Sequence, residues 1–141
     1  MAALQLLLDL VVVRRRLVAR VDEVLSIHHG LALGDLALLL ELAGAPNQTL
    51  RRAEIARRLG ITPSGVARQL APLERIGLVG REPARDARLA LVTLTAAGAR
   101  VVADARATSE EAAGAALDGA WSARDQGRLE DVLALARSSP A

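Results

Sequence analysis

Cysteine, phenylalanine, tyrosine and lysine are absent from this 141-residue chain, and Trp121 is its single tryptophan. Without cysteine the sequence excludes disulfides, thiolate catalysis, thiol redox sensing and Cys-ligated zinc. Because aromatic side chains are so few, Leu, Val and Ala must fill the core, which favours closely packed helices over an aromatic-rich sheet. All eighteen basic residues are arginines, and the planar guanidinium group matches phosphate and guanine.

Positive charge is concentrated in the middle of the chain. The formal net charge is only +2, but residues 51–88 contain nine Arg and four acidic residues, a balance of +5. The remaining residues contain nine Arg and twelve acidic residues, a balance of −3. The length fits one domain, or one domain with oligomerisation helices. The basic middle segment indicates a polyanionic partner.

The apolar N-terminal run does not have the charge order of a signal peptide. Arg14, Arg15 and Arg16 follow the run instead of preceding it, and Asp9 lies inside it. The run is also about half the length needed to span a bilayer. We therefore expect a cytoplasmic protein without a membrane partner.

Apolar spacing and turn residues predict six helices and one β-hairpin, with no parallel sheet. The predicted helices cover residues 4–29, 35–43, 52–59, 63–76, 96–120 and the segment after Ser122. The predicted strands cover residues 78–82 and 88–94 with a turn at 83–86, and residues 44–49 are predicted to be a loop. We expect Gly60 to end the third helix in the left-handed conformation and Pro72 to bend the fourth.

This order of elements predicts a mainly α protein. The expected fold is a winged helix-turn-helix, with a three-helix core, a β-hairpin wing and long N- and C-terminal helices. In a helix-turn-helix the second helix projects from the surface and can enter the major groove of DNA. The alternative is an ordinary helical hairpin with a solvated basic face.

The second helix of this motif carries the first group of candidate site residues. If Val66, Leu70 and Leu73 face inward, the opposite side is free to contact a duplex. Ser64 and the free N–H groups of the first turn suit a phosphate, Arg68 suits guanine and Gln69 suits adenine. The candidate recognition-helix residues are Thr62, Pro63, Ser64, Gly65, Arg68 and Gln69.

The hairpin supplies the second group, Arg85, Asp86 and Arg88. A charged wing beside a recognition helix can reach the adjacent backbone and place a guanidinium in the minor groove. Asp86 is spaced to hold Arg88 through a charge-assisted hydrogen bond. A charged turn that only maintains solubility is the alternative.

The stretch 33–98 resembles the MarR-type (multiple antibiotic resistance regulator) family of winged-helix transcription factors. The motifs that carry this resemblance are Glu54-Ile55-Ala56-Arg57-Arg58-Leu59-Gly60, Thr62-Pro63-Ser64-Gly65-Val66-Ala67-Arg68, Leu73-Glu74-Arg75-Ile76-Gly77-Leu78-Val79, Asp86-Ala87-Arg88 and Leu94-Thr95-Ala96-Ala97-Gly98. They cover about half the chain. The chain departs from the family pattern at Arg51-Arg52, where a Ser or Thr cap is common, and at Pro72.

The resemblance implies a homodimer joined by the first and last helices, a palindromic operator, and often repression that a small ligand relieves. It also implies that Arg88 is the minor-groove arginine and Asp86 its support. The expected division is residues 1–32 for dimerisation, 33–98 for DNA binding and 99–141 for dimerisation.

We therefore expect a sequence-specific regulator, with no cofactor, no metal and no catalytic residues. Arg51, Arg52, Arg57 and Arg75 are predicted to contact the DNA backbone, which adds affinity without sequence information. A winged-helix module that binds another protein is the alternative. The adjacent His28 and His29 lack further metal ligands, so packing or surface roles are favoured over metal binding or pH sensing. Trp121 is expected to be a packing anchor, and the sequence identifies no effector site.

Overall fold

The computed structural model describes residues 2–82, 84–86 and 89–139. Its helices are α1 (Ala3–His29), α2 (Leu33–Gly44), α3 (Arg52–Leu59), α4 (Pro63–Arg75), α5 (Ala96–Asp118) and α6 (Ala123–Ser138), and its strands are β1 (Thr49–Arg51), β2 (Val79–Glu82) and β3 (Leu91–Leu94). A short 3₁₀ turn, Pro46–Gln48, precedes β1. The mainly α winged helix-turn-helix class is confirmed.

Local signals in the sequence explain where the helices begin and end. Gly30 and Gly60 follow α1 and α3 with φ values of 65° and 63°, the left-handed conformation that glycine adopts without a steric penalty. Thr62 and Thr95 begin α4 and α5 by accepting hydrogen bonds from backbone N–H groups three residues later. Helix α2 begins at Leu33, two residues before the predicted start, because its N–H donates to the Asp22 carboxylate at 2.7 Å.

The sheet differs from the prediction in two places. Residues 49–51 form a short strand, although residue 49 was predicted to end a loop and no strand was predicted before the third helix. The sheet order is β1-β3-β2, with both pairings antiparallel. The hydroxyl groups of the paired Thr49 and Thr93 are 2.9 Å apart. The last strand begins at Leu91, not at residue 88, so the wing loop is longer than predicted. A three-residue strand is too short to show the alternation from which strands are predicted.

Helix α4 continues through Pro72 as one element. Pro72 lies in its last turns, and its own carbonyl oxygen accepts a hydrogen bond from the N–H of Ile76 at 3.2 Å. The missing N–H of Pro72 therefore does not end the helix. The bend in its axis stays a prediction.

Two hydrophobic clusters hold the fold together. The larger joins α2, α3, α4, the sheet and the first turns of α5, and its fully buried side chains include Leu38, Leu42, Ile55, Leu70 and Val92. The smaller joins α1, the first turn of α2 and α5 through side chains such as Val21, Leu25 and Ala105. Among the described residues no buried side chain is polar or charged. The larger cluster packs α4 and the strands of the wing against each other.

The terminal helices keep large apolar side chains exposed. Leu4 and Leu7 on α1 are 68% and 62% exposed, and Val132 and Leu135 on α6 are 60% and 69% exposed. Exposed apolar surface of this kind is typical of a site that binds another surface. Within the described residues, no single helix has both the length and the apolar composition for crossing a bilayer. Helices α1 and α2, bent by 73° at their junction, meet those two criteria only as a pair.

Candidate nucleic-acid interface

The first turn of α4 is exposed and capped. The Thr62 Oγ1 accepts a hydrogen bond from the N–H of Gly65 at 3.0 Å, and the Ser64 Oγ lies 3.1 Å from the same Oγ1. Pro63 occupies the first helical position, where no backbone N–H is needed. The remaining N–H groups and the positive end of the helix dipole can bind an anion there.

Helix α4 divides into a buried and an open side as the sequence predicted. Val66, Leu70 and Leu73 are buried in the larger cluster. Ser64 and Arg68 are exposed, and Gly65 and Gln69 are half-buried. With the turn before the helix, this side forms an open concavity of about 820 Å³, lined by Gly60, Ile61, Thr62, Gly65, Arg68 and Gln69.

Gln69 contacts the start of α2, which the sequence did not predict. A Cβ atom added at Gly34 would lie 3.0 Å from the Nε2 of Gln69. The absence of a side chain at Gly34 therefore leaves the space that the Gln69 amide occupies. No local pattern joins residues 34 and 69, so only the packing of α2 against α4 reveals this contact.

Two arginines of α3 are held in ion pairs. Glu54 accepts from Arg57 at 2.5 and 3.1 Å and from Arg58 at 2.9 Å, and Arg58 also donates to Glu41 of α2 at 3.2 Å. The hydrogen bond from Arg57, followed by that from Arg58, lowers the pKa of Glu54 from 4.5 to about 2. The hydrogen bond to Glu54 likewise raises the pKa of Arg57 above its ordinary value. Arg57, a predicted phosphate contact, thus already has an anionic partner.

The other predicted backbone contacts have no such carboxylate partner among the described residues. Arg51 is exposed just before α3, Arg75 is exposed at the end of α4, and Arg52 is half-buried. The backbone N–H of Arg52 donates to the carbonyl of Ala90 at 3.1 Å, which attaches the start of α3 to the base of the wing. None of these three side chains forms an ion pair with the part of the chain that the structure describes.

The wing is described in part. Arg85 is exposed and Asp86 is half-buried in the loop between β2 and β3. The Asp86 carbonyl accepts a hydrogen bond from the N–H of Leu89 at 2.9 Å. Arg88 lies outside the described residues, so its minor-groove role and its pairing with Asp86 stay predictions.

A helix-turn-helix with an adjacent wing is shared with known regulators. The family model described as "MarR family" matches residues 29–89, from the end of α1 into the wing. The folds of solved structures also match over nearly the whole chain. Sco3205, a MarR family transcriptional regulator from Streptomyces coelicolor, has a TM-score of 0.83 and 25% identity, covers 100% of this chain and 91% of its own, and was solved in complex with DNA.

The chain is therefore similar to the MarR family in sequence over residues 29–89 and in fold over nearly its whole length.

Further solved structures from this family show the same fold. Sco5413 from Streptomyces coelicolor has a TM-score of 0.81 and 25% identity, and the match covers 96% of this chain and 92% of that one. A mutant MarR from E. coli, solved with operator DNA, has a TM-score of 0.76 and 22% identity over 90% of this chain and 89% of its own. No curated protein matches by sequence. The two Streptomyces coelicolor structures are both MarR family transcriptional regulators.

An ion pair between α4 and the wing was not predicted from the sequence. The Nε of Arg81 on β2 donates to the Oε1 of Glu74 on α4 at 2.6 Å. Glu74 lies within the Leu-Glu-x-x-Gly-Leu-Val motif, and Arg81 follows shortly after that motif. The spacing of seven residues across a turn gave no signal, because helix and strand periodicities do not extend through a turn.

A second contact joins α5 to the turn after α4. The Thr95 hydroxyl donates to the Gly77 carbonyl at 2.6 Å and accepts from the N–H of Gly98 at 3.0 Å. The N–H of Thr95 donates to the carbonyl of Leu78 at 3.1 Å. A Cβ atom at Gly98 would overlap that same Leu78 carbonyl oxygen. The Leu-Thr-x-x-Gly motif therefore fixes α5 directly against the base of the wing.

The remaining candidates have packing contacts. The Nε2 of His29 lies 3.1 Å from the Thr108 Oγ1 on α5, while His28 is exposed. Within the described residues, no group of three or more His, Cys, Asp or Glu is arranged to hold a metal ion. Trp121 lies half-buried between α1 and α6, beside Val13 and Leu17.

Proposed function

We propose that this protein is a transcriptional repressor that binds a palindromic operator as a homodimer. Its similarity to the MarR family and to Sco3205, which was solved in complex with DNA, supports the coarser statement, a DNA-binding regulator. The observation that carries the proposal is the exposed side of α4, where Ser64 and Arg68 lie beside a capped helix N-terminus. The opposite side of α4 is buried in the larger hydrophobic cluster, so the exposed side is not needed for packing.

The exposed side of α4 enters the major groove. Ser64 and the first-turn N–H groups bind a phosphate, and the small Gly65 permits close approach of the backbone. Arg68 pairs with guanine through its N7 and O6 acceptors, and Gln69 pairs with adenine.

Arginines around α4 bind the DNA backbone. Arg51, Arg52 and Arg75 have no competing carboxylate among the described residues, so they supply phosphate contacts without an internal bond to break. Arg57 must share its guanidinium with Glu54, and its contribution is therefore the smallest of the four. Arg85 and Arg88 extend the basic surface along the wing, with Arg88 in the minor groove and Asp86 as its support.

The terminal helices join two copies of the chain. The exposed apolar side chains of α1 and α6 form the two walls of an open cavity of about 460 Å³, which a second copy fills. A twofold dimer uses the same surface of both chains. Two copies of α4 then lie in successive major grooves, about 34–36 Å apart. In this division residues 33–98 bind DNA, and residues 1–32 and 99–141 dimerise.

Selection of bound DNA from a random pool, with and without cell metabolites, tests this function. We expect an enriched palindrome whose half-sites are about 10 base pairs apart. Affinity should fall steeply with salt, because phosphate contacts release counterions. Metabolites that weaken binding would identify a small-molecule effector. Selection without a preferred sequence, together with affinity that does not depend on salt, would contradict the function and favour the protein-binding alternative.

A further inference from the structure

The ion pair between Glu74 and Arg81 connects the two parts of the protein that are proposed to contact DNA. Glu74 lies in the last turn of α4, and Arg81 is the third residue of β2. Their side chains are 26% and 43% exposed, so water reaches both while the hydrogen bond of 2.6 Å holds them together. The two residues are seven positions apart, and the turn that they bridge contains Gly77, which has a φ of 77°.

Backbone hydrogen bonds fix the near end of this loop. The N–H of Gly77 donates to the backbone carbonyl of Glu74 at 3.0 Å, and the N–H of Leu78 donates to the backbone carbonyl of Leu73 at 2.9 Å. These bonds determine where β2 starts. Arg81 lies further along the strand, next to the wing loop, where β2 pairs with β3, and its bond to Glu74 connects this end of β2 to the last turn of α4.

We propose that Glu74 and Arg81 are positioning residues that hold the wing at a fixed angle to α4. The wing cations then reach the DNA only when α4 is in the major groove. This inference rests on the proposed function. It assigns a role in DNA recognition to an acidic side chain that lies beside a surface for a polyanion.

Electrostatics alone predicts the opposite effect for Glu74. Removal of a carboxylate near DNA reduces repulsion and strengthens binding. If Glu74 positions the wing, Glu74→Gln weakens binding, because Arg81 is released and the wing loses its direction. Glu82, on the same strand, is exposed and forms no ion pair within the described residues. Glu82→Gln is therefore the matched control for the loss of one negative charge.

The experiment compares five proteins on the operator selected with the wild-type chain: wild type, Glu74→Gln, Arg81→Gln, the exchange Glu74→Arg with Arg81→Glu, and Glu82→Gln. We expect Glu74→Gln and Arg81→Gln each to weaken binding by roughly tenfold, and to reduce the slope of log affinity against log salt by about one per lost contact. The exchange recovers most of the affinity, while Glu82→Gln binds as tightly as wild type or more tightly.

Methylation by dimethyl sulfate on the same complexes separates the wing from the helix. This reagent modifies guanine N7 in the major groove and adenine N3 in the minor groove. We expect Glu74→Gln to keep the guanine protection that α4 gives and to lose the adenine protection that the wing gives. Thermal melting of each variant shows that it is folded, since an exposed ion pair contributes little to stability.

The outcomes distinguish this inference from the proposed function. If wild type binds DNA and Glu74→Gln binds equally or more tightly, the positioning role is wrong and the function stands. Failure of the exchange variant to recover affinity, or equal loss of both protections in Glu74→Gln, also overturns the positioning role. If wild type selects no sequence, the proposed function fails and the inference fails with it.

Discussion

The central segment and the terminal helices of this protein differ in how far their apolar side chains are buried. From α2 to the start of α5, large apolar residues lie in one cluster, and the fully buried Leu38, Leu39, Ile55 and Val66 are typical. Helix α6 has no buried residue among those described, and the first half of α1 exposes a row of leucines and valines. The large apolar residues of the central segment are therefore covered within the chain, whereas those of α6 and the first half of α1 are open to a partner surface.

This difference indicates where each kind of substitution acts. Changes in the central segment alter its stability or its surface for DNA, and both effects appear in a single chain. If the proposed dimer forms, changes on the exposed faces of α1 and α6 alter association and leave the central core intact. The junction between the two regions, where α5 meets Gly77 and Leu78, belongs structurally to the central segment.

The largest effect is expected at this junction. Gly98→Ala should destabilise the fold by about 3 kcal/mol or more, because its Cβ would overlap the Leu78 carbonyl and crowd the Leu94 Cδ1 at 2.6 Å. Gly114→Ala, in the same helix, meets nothing within 4 Å and should stabilise it by up to about 1 kcal/mol. Chemical denaturation of both variants measures the difference. Equal stability would show that α5 is not fixed to the central segment.

The next effect concerns association. Leu133→Asp places a carboxylate on the apolar face of α6, beside the cavity that α1 and α6 share. We expect the dimer to dissociate and operator affinity to fall by roughly a hundredfold or more, since the two half-sites no longer bind together. Sedimentation equilibrium and a gel-shift titration measure the two quantities.

Ala134→Asp is the matched control for Leu133→Asp. It adds the same carboxylate to the side of α6 that carries Glu130 and Asp131, because residues three and four apart share a helix face. It should leave both the dimer and the operator affinity unchanged. A dimer that survives Leu133→Asp would contradict the assignment of this face to a second copy.

A smaller effect is expected on stability when the threonine caps of α4 and α5 are removed one at a time. Thr62→Ala removes the cap of α4 and the exposed contact with the Ser64 Oγ, and should cost about 1 kcal/mol of unfolding free energy. Thr95→Ala removes the cap of α5 together with the hydrogen bond to Gly77, and should cost about 2 kcal/mol. Urea denaturation of the two variants gives the comparison. Equal costs would show that the bond to Gly77 adds nothing.

The smallest effect is a pH dependence within the central segment. The pKa of Glu54 is about 2 in the folded chain and 4.5 without its partners. A carboxyl group with a lowered pKa stabilises the fold above its unfolded-state value, and this stabilisation is lost as the pH falls towards the folded-state value. Glu54→Gln should therefore flatten the acid limb of a plot of stability against pH. Glu110→Gln on α5, without an ion pair among the described residues, is the control, and an identical acid limb in the two variants would contradict the role of Glu54.

Much of the fold could be predicted from the sequence because its signals are local. The αL glycine at Gly60, the cap at Thr62 and the apolar stripe of α4 each lie within a few residues, and the structure confirms them. Strand β1 was missed because its pairing with β3 joins residues that lie far apart in the chain, such as Thr49 and Thr93. The start of β3 was placed too early because apolar residues in the wing loop resemble a strand.

The candidate site was predictable as a face and less so as a set of contacts. Helical periodicity placed Ser64 and Arg68 outside, and they are exposed. Periodicity gives no information on partners from other elements, so the contact of Gln69 with Gly34 was not foreseen. The capture of Arg57 by Glu54 spans one helical turn, and an i,i+3 rule applied to α3 would have found it.

The base preference of Arg68→Ala tests the central claim most directly, because Arg68 is the exposed side chain of α4 proposed to pair with guanine. Affinities of wild type and variant are measured for the selected operator and for every single base-pair change in it. We expect the preference among bases to disappear at one base pair of each half-site, with a loss of about 1–3 kcal/mol, and to persist at the other positions. Unchanged discrimination, or a uniform loss of affinity for all sequences, would contradict it.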